Sequence, residues 1–176
     1  MDSEYKLTYA NIVETAIHAL ANDSAITEWC LKEFNTPQMV ANDADPMNPP
    51  QERDCPYISI TPLGGENGQD DETFRRAFLV RVAISSRSLP NQGITDDYDP
   101  RTGRIRIRRL DGTAKISHFL ENLIYPCIRR AFNAKNYPVS TEDETLENPN
   151  LSLFQARAGI TILFDKAIGE EVPFLP

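Results

Sequence analysis

From Phe154 to Phe164 the chain alternates, with Phe154, Ala156, Ala158, Ile160, Ile162 and Phe164 on one side of an extended backbone and Gln155, Arg157, Gly159, Thr161 and Leu163 on the other. Successive side chains of a strand point to opposite faces, so this period of two predicts a strand with one face in a core. Such a strand needs partners for its backbone and a layer over its apolar face. Three further segments supply partners. Tyr57-Ile58-Ser59-Ile60, closed by Pro62, is a short β-branched run, and Phe74 to Ser85 sets Phe78, Val80, Val82 and Ile84 against Leu79, Arg81 and Ala83. Val139 to Glu144, after Tyr137-Pro138, is a candidate strand. Between the first two, Gly64 to Glu72 reads as a wide hairpin tip, too long for a two-residue turn and rich in residues that accept positive φ.

The covering layer is helical. Leu7, Ala10, Ile12, Val13, Ala16, Ile17 and Leu20 recur at three and four. Asn22, Asp23 and Ser24 can cap a new start, and Ile26, Trp29, Cys30 and Phe34 continue the stripe to near Asn35 and Pro37. A third stripe runs through Ile116, Phe119, Leu120, Leu123, Ile124, Cys127, Ile128 and Ala131, with Thr113 as its expected cap and Pro126 inside it, which predicts a kink near Asn122. Residues about 38–56 read as a loop, Asn42 to Asp54 being rich in Pro, Asn and Asp. Leu89 to Asp111 is a second irregular segment, whose alternation of Ile105 and Ile107 with arginines suggests a small exposed strand; residues about 167–176 form an extended arm. The order is helix, helix, strand, strand, helix, strand, strand. It predicts an α+β fold in which an antiparallel sheet of about four strands carries helices packed on one face. At 176 residues this is one domain.

Composition narrows the function. Lys and Arg number 18 against 26 Asp and Glu, a net charge of -8 that disfavours a generic binder of duplex DNA, although a local basic patch is compatible with it. No apolar run approaches the roughly 20 residues of a membrane span, and Asp2, Glu4 and Lys6 open the chain where a secretory leader would be basic and then apolar. A cytosol-like compartment is expected. Cys30, Cys55 and Cys127 are too scattered for a disulfide framework or a CxxC zinc site. The only histidines, His18 and His118, flank helical stripes and read as boundary side chains, and no GxSxG marks a nucleophile. Asp96 to Gly103 resembles a calcium loop, but an arginine, Arg101, occupies the third ligand place and no glutamate closes it. Gly64, Gly65 and Gly68 lack the lysine of a phosphate cradle, and Asp70, Asp71 and Glu72 would repel an anion. No cofactor and no metal is expected.

The charge anomaly is Arg101, Arg104, Arg106, Arg108 and Arg109, a basic run in an acidic chain. It is either a solvated loop or an interaction surface. As a surface it suits carboxylates of a neighbouring copy, such as Asp70, Asp71 and Glu72 or Glu142, Asp143 and Glu144, because a guanidinium binds a carboxylate with two parallel hydrogen bonds.

The Pro-rich loop before Cys55-Pro56-Tyr57-Ile58-Ser59-Ile60, the acidic Gly-rich hairpin before Phe78-Leu79-Val80-Arg81-Val82-Ala83-Ile84, and the late helix before a final alternating strand resemble the tail terminator and tail-completion proteins of long-tailed bacteriophages, with the lambda-type terminator fold. The resemblance covers about Leu7 to Asp165 and rests on element order; the Leu89 to Asp111 insertion and the long first helical region depart from the compact family pattern. It implies a structural virion protein without catalytic residues that self-associates into a ring, usually a hexamer. That ring sits on the tail tube protein at the head-proximal end, stops tube polymerisation and presents a surface to a head-completion or neck protein. DNA would be a passing cargo, kept from sticking by lumenal carboxylates, and no membrane is involved. The expected location is the virion tail or neck, after assembly in the host cytoplasm. Two other readings stay open: a neck or head-tail connector protein, and a cytosolic binding module that uses Arg101 to Arg109. A small enzyme built from distant residues ranks last.

Overall fold

In the computed structural model, which describes residues 9–42, 51–67, 73–134, 137–150 and 152–165, Asp23 divides the first helical stretch into α1 (Tyr9–Asn22) and α2 (Ser24–Phe34). Its backbone is extended, and its carboxylate accepts the Ile26 N–H at 3.0 Å. This is the N-cap geometry that satisfies an orphan donor of the first turn. Asn35, left-handed at φ 56°, closes α2. Arg130 from the far end of the chain donates to the second Asp23 oxygen. Burial alone would raise the Asp23 carboxyl, but the Ile26 N–H, Arg130 and Cys127 outweigh it and hold the group below its ordinary value.

Asp23→Ala should therefore cost about 1 to 2 kcal/mol near neutral pH. A depressed folded pKa stabilises fully above the unfolded value of 3.8 and fades as the pH falls below it toward the folded value. Urea melts of the two proteins should differ at about pH 7 and converge at about pH 2; a gap that persists in acid would remove the carboxylate from this role.

The third helical stripe begins at Asp111, two residues before the expected Thr113 cap, and runs as α3 (Asp111–His118), a π-helical turn (Phe119–Ile124) and α4 (Tyr125–Asn133). Pro126 explains the wide turn. It has no N–H to give, and its ring would crowd the carbonyl of Asn122 in a regular α-helix. The expected disturbance near Asn122 thus takes the form of a π turn.

Seven strands follow in chain order: β1 (Met39–Asn42), β2 (Tyr57–Asn67), β3 (Thr73–Ser85), β4 (Ile94–Tyr98), β5 (Ile105–Leu110), β6 (Val139–Asn150) and β7 (Leu153–Asp165). Five form one sheet in the order β1-β2-β3-β7-β6, and β4 and β5 form a separate hairpin. The main sheet is mixed, because β1 runs parallel to β2 while the other pairs are antiparallel. The expected antiparallel sheet of about four strands is thus present as β2-β3-β7-β6, and β1 extends it by a parallel edge strand. Met39 to Asn42 also lies inside the segment expected to be loop. It is held there by tertiary contacts: the Gln38 amide donates to the carbonyl of Leu20 and the hydroxyl of Thr27, both at 3.0 Å, and the Met39 N–H donates to the Pro56 carbonyl at 2.8 Å.

Register explains the core. Ile58 pairs with Val82 and Val82 with Ala156; Ile60 pairs with Val80 and Val80 with Ala158; Phe78 faces Ile160 and Ile84 faces Phe154. All ten are buried and lie in one cluster with Ile12, Val13, Ala16 and Leu20 of α1, Ile26 and Cys30 of α2, and the third helical stripe. Phe119 and Ile162 are fully buried, whereas Leu123 packs at the margin. No described helix is long and apolar enough to cross a membrane. The hairpin tip at Asp70, Asp71 and Glu72 and the arm at 167–176 lie outside the described residues, as do residues 43–50 of the Pro-rich loop.

Candidate interaction surface

The basic run folds as an outlying hairpin. Pro90–Gly93 makes a tight turn in which Asn91, Gln92 and Gly93 all have positive φ, and it delivers the chain into β4. At the far end Asp99 organises the reversal: its carboxylate accepts the Arg101 N–H at 3.0 Å and its carbonyl accepts the Gly103 N–H at 2.8 Å, with Gly103 at φ 67°. The calcium-loop look-alike is thus a turn whose first acidic residues belong to a strand. The hairpin root is anchored by buried Leu89, by the hydrogen bond from the Thr95 hydroxyl to Asp111, and by the Phe154 ring, which lies against Gly93 and Gly112.

The structure separates the five arginines. Arg108 binds Asp96 through two hydrogen bonds of 2.8 and 3.0 Å across the ladder, and Arg109 pairs with Asp97. The Arg108 guanidinium holds the Asp96 carboxyl below its ordinary value. Arg101 lies 3.8 Å from Asp99. Arg104 and Arg106 are exposed, and their guanidinium groups make no ion pair or hydrogen bond among the described residues. Three arginines therefore serve the hairpin itself, and two face outward with no local carboxylate. A sequence signal for this existed in the acidic half and basic half flanking Pro100 and Gly103, which is the charge pattern of a two-stranded ribbon.

What sequence reasoning missed is the apolar exposure beside those charges. Every residue of β5 is exposed; Ile105, Ile107 and Leu110 keep 45%, 49% and 45% of their surface, and Tyr98 on β4 keeps 59%. The alternation of isoleucine and arginine carries this signal, since a purely solvated ribbon has no use for β-branched apolar residues on its open side. Of the acidic partners weighed from sequence, Glu142, Asp143 and Glu144 fall on β6, the edge strand of the main sheet.

Other chemistry-bearing residues are dispersed. His18 is exposed on α1, 3.5 Å from Glu14, and His118 is exposed on α3 with Asn122 at 3.1 Å. An open cavity of about 390 Å³ is lined by Gln51, Glu52, Arg53, Ser85 and Arg87, where Glu52 accepts from Ser85 at 2.8 Å and lies 3.3 Å from Arg87. Among the described residues no group of three or more His, Cys, Asp or Glu gathers to hold a metal. The thiols of Cys30, Cys55 and Cys127 are each pushed up to about 12, in every case chiefly by burial, with Asp54 and Glu52 adding to the effect at Cys55. A thiol-specific disulfide reagent at about pH 8 should leave the folded protein untouched and modify all three cysteines in denaturant, because the thiolate is the reacting form. Rapid modification of the native protein would contradict these environments. Compared with family models and with curated proteins, the chain gives no match.

Proposed function

We propose that the protein is a structural virion component, a ring-forming tail terminator that caps the head-proximal end of a phage tail tube, stops its growth and offers a surface for head joining. Its partners in this reading are further copies of itself, six in a closed ring, together with the tail tube protein and a head-completion or neck protein. Its work is association and not covalent chemistry. The observation that carries the proposal is the β4-β5 hairpin. An isolated two-stranded ribbon is marginal in water, yet this one stands outside the main sheet with Ile105, Ile107, Leu110 and Tyr98 open to solvent and with Arg104 and Arg106 making no ion pair among the described residues. A feature of that kind is suited to a neighbour in an assembly. The element order shared with tail terminators adds to it.

The test is the mass in solution by light scattering, alone and with tail tubes from the same source. A sixfold species, or a monomer that closes into a ring on tube ends, is the expected result. A monomer or dimer indifferent to tubes would overturn the proposal and favour a binding module acting through Arg101 to Arg109.

A further inference from the structure

Four strand edges are open among the described residues, those of β1 and β6 in the main sheet and those of β4 and β5 in the hairpin, and the two with the most contrasting charge are β5 and β6. β5 pairs only with β4, and β6 pairs only with β7, so each presents a row of backbone groups on its other side. Open edges template pairing with another chain, and charged residues and bulges are the usual protection. Both devices are present: β5 carries Arg106, Arg108 and Arg109 directly after Arg104, while β6 reads Glu142, Asp143, Glu144 and Glu147 and has a register shift between Glu142 and Glu144. The protection is of opposite sign on the two edges. A β5 edge repels another β5 and a β6 edge repels another β6, whereas β5 against β6 brings unlike charges together; the carboxylates of the β4 edge, Asp96 and Asp97, are already engaged by Arg108 and Arg109. Apolar surface is available on both, with Ile105 and Ile107 exposed on β5 and Leu146 44% exposed on β6. Pro149 lies beyond Leu146 and limits the ladder to the preceding part of β6.

We infer that β5 of one copy adds as a strand to the open edge of β6 of the next copy. The inference rests on the self-association proposed above and names the surfaces that carry it. Because the two edges differ, the contact is head-to-tail: each copy gives β5 to one neighbour and receives β5 from the other, which closes into a ring or grows into a filament. An isologous dimer through either edge is disfavoured by like charges. Arg104 and Arg106, without partners in their own hairpin, come alongside the acidic run of the β6 strand, and the β5 isoleucines lose solvent alongside Leu146.

The decisive experiment is a charge exchange read by sedimentation velocity on the full chain. Arg104→Glu with Arg106→Glu makes one variant, and Glu142→Lys with Glu144→Lys makes the other. Each alone should weaken association about 100-fold, from two like-charge contacts of roughly 1 to 2 kcal/mol each, and sediment near the 19.9 kDa monomer. Mixed in equal amounts, they should recover the wild-type species, since every contact in an alternating assembly then joins unlike charges. Unchanged circular dichroism and melting would show that both variants fold. If either variant assembles as the wild type does, or the mixture stays monomeric, the strand addition is wrong while a wild-type ring on tubes still stands. If the exchange behaves as expected but the assemblies ignore tube ends, the contact stands and the terminator reading fails. A wild type that stays monomeric, alone and with tubes, overturns both.

Discussion

Replacing Phe119 with alanine should lower folding stability by about 3 to 5 kcal/mol, the range for removing a buried aromatic side chain together with the cavity it leaves. Phe119 is fully buried at the start of the π turn. It stacks on Trp29 with ring centroids 4.8 Å apart and planes inclined by 20°, and Trp29 meets Phe34 edge-on at 5.3 Å. The ring therefore ties α2 to the long helical stretch, and its loss removes both apolar contact and an aromatic pair worth about 0.5 to 1.5 kcal/mol beyond area. For a chain of this length the melting temperature should fall by roughly 6 to 20 °C. Leu123→Ala is the comparison, because Leu123 is only partly buried and should cost less. If the two variants lose the same small amount in denaturant melts, Phe119 is not the keystone that its contacts make it.

Gly112→Ala is the second large effect, and its sign runs against helix propensity. Alanine is favoured over glycine in a helix by about 1 kcal/mol, and Gly112 lies in the first turn of α3. A Cβ there would overlap the Phe154 ring, and the ring has little freedom to retreat because Gly93 bounds it too, with a Cβ position 2.8 Å from the same ring. The substitution should destabilise by about 1 to 3 kcal/mol, the usual penalty of overpacking. Phe154→Leu should cost less in the Gly112→Ala background than in the wild type, a coupling of about 1 kcal/mol readable from a double-mutant cycle. Additive losses, or a stabilised Gly112→Ala, would mean that the ring and the helix start move apart easily.

The helices α1 and α2, the strands β2, β3 and β7 and their burial sides were legible because each depends on a local period: 3.6 residues for Ile12, Ala16 and Leu20, two residues for Phe78, Val80, Val82 and Ile84. The break at Asp23 was legible for the same reason, since a cap acts within three residues. The segments read as irregular were less so. Tyr57 to Ile60 extends to Asn67 and Val139 to Glu144 to Asn150, because pairing with β3 and β7 carries a strand past the point where its own pattern fades. The basic run was visible as an anomaly, but its division into Arg108 and Arg109 held by Asp96 and Asp97, and Arg104 and Arg106 left outward, depends on a cross-strand register that no single segment encodes.

By itself, then, the sequence determined the kind, order and apolar face of α1, α2, the third helical stripe, β2, β3 and β7, since those follow from how side chains project from neighbouring backbone positions. The tertiary structure alone decided that Met39 to Asn42 is a strand, and a parallel one, that Pro126 is absorbed by a π turn, and which edges stay open. These outcomes turn on partners far away in the chain: the backbone of β2 beside β1, the layers packed around Pro126, and the absence of a further strand beyond β5 and β6 among the described residues. Hydrogen bonds and burial are satisfied between segments, so the segment's own composition does not reveal where they will be met.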